Sequence, residues 1–297
     1  MGNVFDLESP ELVVFTGDYN DGGATEGVTN SVSKFLEPTL SRDLSFATVS
    51  GNHDKEAGLT RSELMDQYLG KPGFGGEVGP NSIHGYGNYV LSINSKSKPA
   101  FSLWFFDSGD YSKFDSIDGY NWVWGDQIQW YVRKSKQREE EFCATLPAFA
   151  FFHIPLPEYD TMLSQVGISG EQNEGVCAGA IHSGLFETLV ERTEVKAATV
   201  GHDHCNDYCG NYYGIDLYYG GGTGYDGYGC ADTDKWARRS RVISIRDFGQ
   251  TIRSWKILDD GKLTKIDEET LWSVDGAKLN RRNRAPMKKI VKERKED

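Results

Sequence analysis

The sequence predicts a single mixed α/β domain, and three observations carry that expectation. Short apolar, β-branched or aromatic runs alternate with stretches at helical spacing. Four of those runs, at 12–15, 46–49, 148–151 and 197–200, are each followed within a few residues by a polar motif. No repeat, low-complexity block or linker interrupts the chain before its basic end. In open α/β sheets ligands gather where strands end, so the motifs point to one shared pocket.

Taken in order, a strand is predicted over 12–16, leading into a glycine-rich loop and a helix over 28–40. A strand over 46–50 precedes a helix over 61–69, where Leu64, Tyr68 and Leu69 fall at helical spacing. Thr60 and Glu63 have the spacing of a capping box at its start. Strands over 89–93 and 101–106 flank the turn-rich segment 94–99. A polar-faced helix over 125–141 puts Ile128, Tyr131 and Val132 on its apolar side. A strand over 148–152 opens an irregular loop running to about 179. A helix over 181–192 then leads to a strand over 195–200, and strands over 215–219, 241–245 and 252–257 close the sheet region. Residues 1–257 read as the folded body, and 258–297 as an extension with a basic tail.

At 297 residues, with 38% hydrophobic and 12% aromatic content, the chain is long enough for one sizeable core. No stretch approaches the ~20 apolar residues of a membrane helix. The net charge of −12 is uneven, because 276–297 holds nine Lys or Arg against three acids. So acidic a body argues against tracking a phosphate backbone, and no nucleic-acid partner is expected. The basic tail reads most simply as a solvated terminus. Five cysteines cannot all pair within one chain; Cys205 and Cys209 flank the last histidine motif, as a local disulfide or as thiols. No leader pattern and no Asn-x-Ser/Thr sequon occurs, which leans the expectation toward an intracellular protein.

The four motifs are Gly17-Asp18, Gly51-Asn52-His53-Asp54, Phe152-His153-Ile154-Pro155 and Gly201-His202-Asp203-His204. Asp, Asn and His supply the oxygen and nitrogen donors that hold divalent metals on hydrolytic enzymes. Each motif alone is weak, since a single histidine is ordinarily a hydrogen-bonded loop residue. Together, each at a strand end, they are specific.

With Asp107-Ser108-Gly109-Asp110-Tyr111, His153-Ile154-Pro155-Leu156-Pro157-Glu158, Gly220-Gly221-Gly222 and Arg238-Arg239-Ser240-Arg241-Val242, the chain resembles the calcineurin-like metallophosphoesterases. Within them it is similar to the plant and fungal purple acid phosphatase-like branch, over about residues 10–247. The resemblance implies a β-sandwich of two mixed sheets flanked by helices, around two divalent ions (Mn, Zn, Fe or Mg). It implies that Asp18 bridges the ions, that Asn52, His153 and His202 complete the second site, and that His204 turns to the first. His53 then faces the phosphate and protonates the leaving oxygen, with Asp54 beside it keeping the imidazole protonated. Two cations about 3.5–4 Å apart activate water and neutralise charge on an in-line phosphoryl transition state. Neutral Asn and His leave such a pocket net positive for a dianionic ester. The implied function is a metal-dependent phosphoric monoester hydrolase, with phosphoproteins among its substrates. The rivals are an inactive relative that binds a phosphorylated partner, and a phosphodiesterase.

Two departures qualify the resemblance. The family's Asp-x-His motif, which supplies two ligands of the first ion, has no counterpart among the seventeen residues before Asp18. The N-terminal strand is therefore expected to be absent, leaving unpaired edges, and the first site keeps only Asp18 and His204. A late start of the sequence is the preferred reading; a natural short form with one ion, or a substitute ligand such as Asp21 or His84, stays open. Purple members hold ferric iron through a tyrosine three residues after the Gly-Asp aspartate, where this chain has Asp21. No tyrosinate–iron absorption is expected. Tyr225, on an aromatic rim after 220–224, and Arg239 are candidate substrate contacts, the latter because guanidinium matches phosphate oxygens. Each also reads plainly as a surface tyrosine and a solvated or paired arginine. Asp107 and Asp110 either orient ligands or form a turn.

Overall fold

β-Branched and aromatic runs become strands here because both of their faces are covered. The computed structural model describes residues 1–19, 27–56, 58–225, 228–230 and 236–275. A short helix α1 (Gly2–Glu8) leads to β1 (Leu12–Phe15), which pairs in parallel with β2 (Ser45–Thr48) after α2 (Val28–Leu40). Helix α3 (Arg61–Asp66) carries the predicted Thr60–Glu63 capping box. The main sheet has six strands: β3 (Tyr89–Ser95), β4 (Lys98–Phe105), β5 (Ala148–Phe151), β6 (Val195–Val200), β7 (Cys209–Tyr212) and β8 (Ile215–Tyr219). Their spatial order is β3-β4-β5-β6-β8-β7, parallel from β4 through β8 and antiparallel at both ends. Helices α4 (Gly125–Phe142), α5 (Glu158–Leu163) and α6 (Leu185–Arg192) lie between these strands in the chain. Strands β9 (Arg239–Arg246), β10 (Thr251–Leu258) and β11 (Lys265–Ser273) form a separate antiparallel sheet.

Alternation along single strands separates the two faces of the main sheet. Ala148 and Ala150 of β5 join the cluster that holds Tyr131, Tyr159 and Leu189 of the helices. Phe149 and Phe151, one residue on, join a second cluster with Ala47, Val49, Ile252 and Leu271 from the smaller sheets. That second cluster is the filling of a sandwich. A third cluster, with Val13, Phe15, Val32, Leu36, Leu64 and Tyr68, packs α2 and α3 on the outer side of β1 and β2.

The α/β class follows the expectation, with one difference in the sheets. Instead of two mixed sheets there is one mixed sheet faced by a parallel pair and an antiparallel triplet. Among the described residues β1 pairs only with β2, and β9 only with β10. Helix α1 ties the two pieces: Val4 packs on Trp255 and Ile257, the Trp255 indole donates to Glu8 at 2.9 Å, and Arg42 pairs with Asp6. Helix α1 precedes the first predicted strand, and three later elements were not foreseen. Helix α5 falls inside the predicted loop, β7 is a four-residue edge strand, and β11 lies beyond position 257 with Leu271 buried beneath it. The predicted basic tail at 276–297 lies outside the described residues, as does Asp21.

Candidate metal centre

The parallel registers bring the ends of β1, β2, β5 and β6 to one edge, where Phe15 aligns with Thr48 and Phe151 with Thr199. From that edge the four motif loops meet. Asp18 turns out of β1 in a left-handed conformation (φ 54°) behind Gly17 (φ 93°), and His202 does the same after β6 (φ 69°). Left-handed non-glycine residues are costly and collect at functional sites. Glycine is required at 51: a Cβ there would meet Asp18 Cγ at 2.6 Å. Gly51→Ala is therefore expected to destabilise the protein by about 1–3 kcal/mol and to weaken metal retention. Urea unfolding and metal analysis of the variant check both effects.

Among the described residues, Asp18, His153 and His202 form the one group of acid, thiol or imidazole side chains able to close on an ion, their donor atoms lying within 4.8 Å of one another. His153 Nδ1–H donates to the Thr16 carbonyl at 2.7 Å, which leaves Nε2 facing Asp18 Oδ2 at 2.9 Å and Asn52 Oδ1 at 3.1 Å. A backbone carbonyl that fixes the imidazole tautomer is the usual support of a metal-ligating histidine. Asn52 and His153 are fully buried and His202 nearly so. Burial, helped by His153, pushes the His202 imidazole down to about 3, so it is neutral and keeps one ring nitrogen's lone pair for a ligand role. Both of its ring nitrogens are buried without a hydrogen-bond partner. An orphaned neutral imidazole beside a carboxylate and an amide oxygen fits a divalent ion of the Mn, Zn, Fe or Mg type.

The sequence-predicted residues divide. Asp18, Asn52, His153 and His202 converge. His204 does not join them: its Nδ1–H donates to the Tyr228 carbonyl at 2.7 Å and its ring stacks on Tyr228 at 4.1 Å. His53 sits at the rim, its backbone N–H on Asp18 Oδ1 at 2.9 Å. Its expected partner Asp54 faces inward instead, where Oδ2 accepts the Gly51 and Asp18 backbone N–H groups at 2.7 and 3.0 Å. The carboxylate that holds His53 is Glu56, 2.8 Å from Nδ1. Burial works against the His53 charge, yet the Glu56 hydrogen bond and Asp18 together hold its pKa above the ordinary histidine value.

Arg239 is not at the pocket surface. It is buried, bonded to Asp207 and stacked 3.8 Å over Trp236, so its guanidinium is committed. Tyr225 is largely exposed and bonds Asp259, with Arg238 over its ring. His84, the candidate substitute ligand, stacks on Trp124 at 3.9 Å and bonds Asp126. Tyr19 stacks on Phe35 at 4.2 Å in the outer core. Cys205 pairs with Cys230, not with Cys209, and so pins the His204 loop to the Tyr228 loop.

Sequence reasoning missed the brace behind the Gly51 loop. Arg61, almost fully buried, clasps Asp107 with two nitrogens and donates to the Gly51 and Ser50 carbonyls at 2.8 and 3.2 Å. Asp107 therefore orients the ligand loop while also making the turn to Gly109 at 2.9 Å. The spacing of Glu56 to His53, three residues within one turn, was the available signal for the other omission.

A carboxylate, an amide and two imidazoles meeting where two packed sheets end define an α/β protein with a metal-centred pocket. The chain belongs to the calcineurin-like phosphoesterase family, whose model matches residues 2–206. It is 36% identical to "Probable inactive purple acid phosphatase 29" of Arabidopsis thaliana over 94% of this chain and 78% of that one. It is 37% identical to "Phosphatase DCR2" of Saccharomyces cerevisiae over 90% of this chain and 49% of that longer protein. Among solved structures, a dimetal phosphatase from Danio rerio superposes with a TM-score of 0.64 at 12% identity, covering 92% of this chain and 87% of the other, which shows the shared fold. No helix among the described residues is long and apolar enough to cross a membrane.

Proposed function

We propose that this chain is a metal-dependent phosphoric monoester hydrolase that works through one divalent ion held by Asp18, Asn52, His153 and His202. The observation that supports it is the convergence of those four side chains from separate loops onto one buried point. When bound, a divalent ion there supplies Lewis-acid charge to a phosphoryl oxygen. Water is the nucleophile that replaces the leaving oxygen, and the chain's own residues hold the loops and supply the leaving-group proton. The Arg61–Asp107 brace and the Asp54 bonds to two backbone N–H groups hold the Asn52–His53 loop against Asp18. His53, with Nδ1 fixed on Glu56, presents Nε2–H to a leaving oxygen as general acid.

Release of phosphate from an aryl phosphate, compared with a diester, tests this reading, and His53→Ala is expected to lose about 10²–10⁴-fold. No turnover at any metal concentration sinks it. Glu56→Gln removes the carboxylate that, with Asp18, raises the His53 pKa. Its imidazole then loses its proton at lower pH, and the alkaline limb of the pH–rate profile moves to lower pH; an unmoved limb contradicts the acid assignment. A second reading, a relative that binds phosphorylated protein without turnover, is favoured by one observation: His204 is engaged with Tyr228 rather than with the ligand group.

A further inference from the structure

We propose that the ester held at this centre carries a flat aromatic or heteroaromatic group next to its phosphate, seated on the Tyr111–Tyr120 pair at the pocket mouth. The proposal rests on the phosphoester reading above and narrows its substrate. Tyr120 stands edge-on to the ligand His202, with ring centroids 4.3 Å apart and planes at 86°. Tyr111 lies nearly parallel to Tyr120 at 5.5 Å and 25°, and is 42% exposed. A stacked pair thus begins one ring from the candidate ion and ends at solvent.

The pair is held in place before any ligand arrives. Backbone bonds from Asn121 N–H to Asp110 O (3.0 Å) and from Ser112 N–H to Gly119 O (2.9 Å) zip the loop on either side of the tyrosines. Lys55 of the His53 loop forms an ion pair with Asp110. Glu56 completes the link: Oε2 lies 2.8 Å from His53 Nδ1, and Oε1 accepts the Tyr111 hydroxyl at 3.2 Å. One carboxylate therefore ties the proton donor for the leaving oxygen to the exposed ring. The leaving group must lie against His53, which places it beside Tyr111. A flat π-system gains offset stacking there, whereas an aliphatic group gains only area.

The test is binding to the Mn²⁺-loaded protein, followed by titration calorimetry, of benzylphosphonate and cyclohexylmethylphosphonate. The two match in charge and reach and differ in flatness, and neither is turned over. The benzyl compound is expected to bind about three- to tenfold tighter. Tyr111→Phe keeps that ratio, because the ring remains, and Tyr111→Leu brings it to about one while inorganic phosphate still binds. The 5′-phosphonate analogue of adenosine monophosphate, whose base is held a ribose away from the phosphorus, is expected to bind more weakly than benzylphosphonate; tighter binding overturns the placement of the flat group next to the phosphate. Equal affinity for the first two ligands, or a ratio unchanged in Tyr111→Leu, overturns the tyrosine platform and leaves the phosphoester reading standing. Failure of inorganic phosphate and of every phosphonate to bind overturns both.

Discussion

His153→Ala is expected to abolish metal retention and to cost about three orders of magnitude in turnover. A divalent ion supplies several kcal/mol of charge stabilisation to phosphoryl transfer, and each 1.36 kcal/mol is about tenfold in rate. His153 is central because its Nε2 touches both Asp18 and Asn52 while its Nδ1–H satisfies the Thr16 carbonyl. Its loss removes one ligand, frees the Asn52 amide to turn, and leaves the largely buried Asp18 carboxylate without its imidazole neighbour. Asn52→Ala removes a ligand without touching the His153–Asp18 contact, so the two variants differ in stability but not in metal loss. Steady-state kinetics with metal analysis, each beside a urea midpoint, check the pair. Full activity in either variant contradicts the four-residue site.

Asp207→Ala is expected to cost about 3–5 kcal/mol of stability without touching the pocket. Asp207 is fully buried between Lys256, 2.8 Å from Oδ1, and Arg239, both themselves nearly inaccessible. Removing the carboxylate leaves buried Lys256 with Asp267 alone at 2.6 Å and buried Arg239 with only the more distant Glu171 at 3.9 Å, a larger penalty than losing a surface pair. Burial pushes the Asp207 pKa up, but Lys256, the Glu171 backbone and Arg239 outweigh it and hold the group below the ordinary aspartate value. A depressed carboxylate stabilises the fold above its unfolded pKa and loses that contribution as pH falls through the folded one. The urea midpoint of the wild type should therefore fall on acidification across and below the ordinary aspartate range. Asp207→Asn, already weaker at neutral pH, should lose less over the same interval. Parallel pH curves for the two proteins would remove Asp207 from this role.

The site was legible in sequence where chemistry and chain order coincide. Asp18, Asn52, His153 and His202 follow apolar runs directly, and parallel pairing carries such strand ends to one edge. What lay beyond the sequence depends on side-chain direction within a turn or on distant partners. Asp54 and Glu56 are two residues apart, yet the turn aims one inward at Gly51 and the other outward at His53. The Arg239 assignment failed because a guanidinium suits a buried carboxylate as well as a phosphate, and its partner Asp207 comes from another loop. Cys230, 25 residues from Cys205, displaced the nearer Cys209 as disulfide partner for the same reason. Among elements, β11 escaped because its charged run Lys265-Ile266-Asp267-Glu268-Glu269 lacks a clean apolar alternation; it is an edge strand in which only Leu271 is buried.

Metal content per chain is the most direct measurement of all. The 297-residue protein, stripped with chelator, reloaded with Mn²⁺ or Zn²⁺ and passed through a desalting column, should retain one equivalent. Retention should vanish in Asp18→Ala and persist in His204→Ala, whose ring is engaged by Tyr228. No retained metal, or two equivalents lost together in His204→Ala, would contradict a single ion held by Asp18, Asn52, His153 and His202.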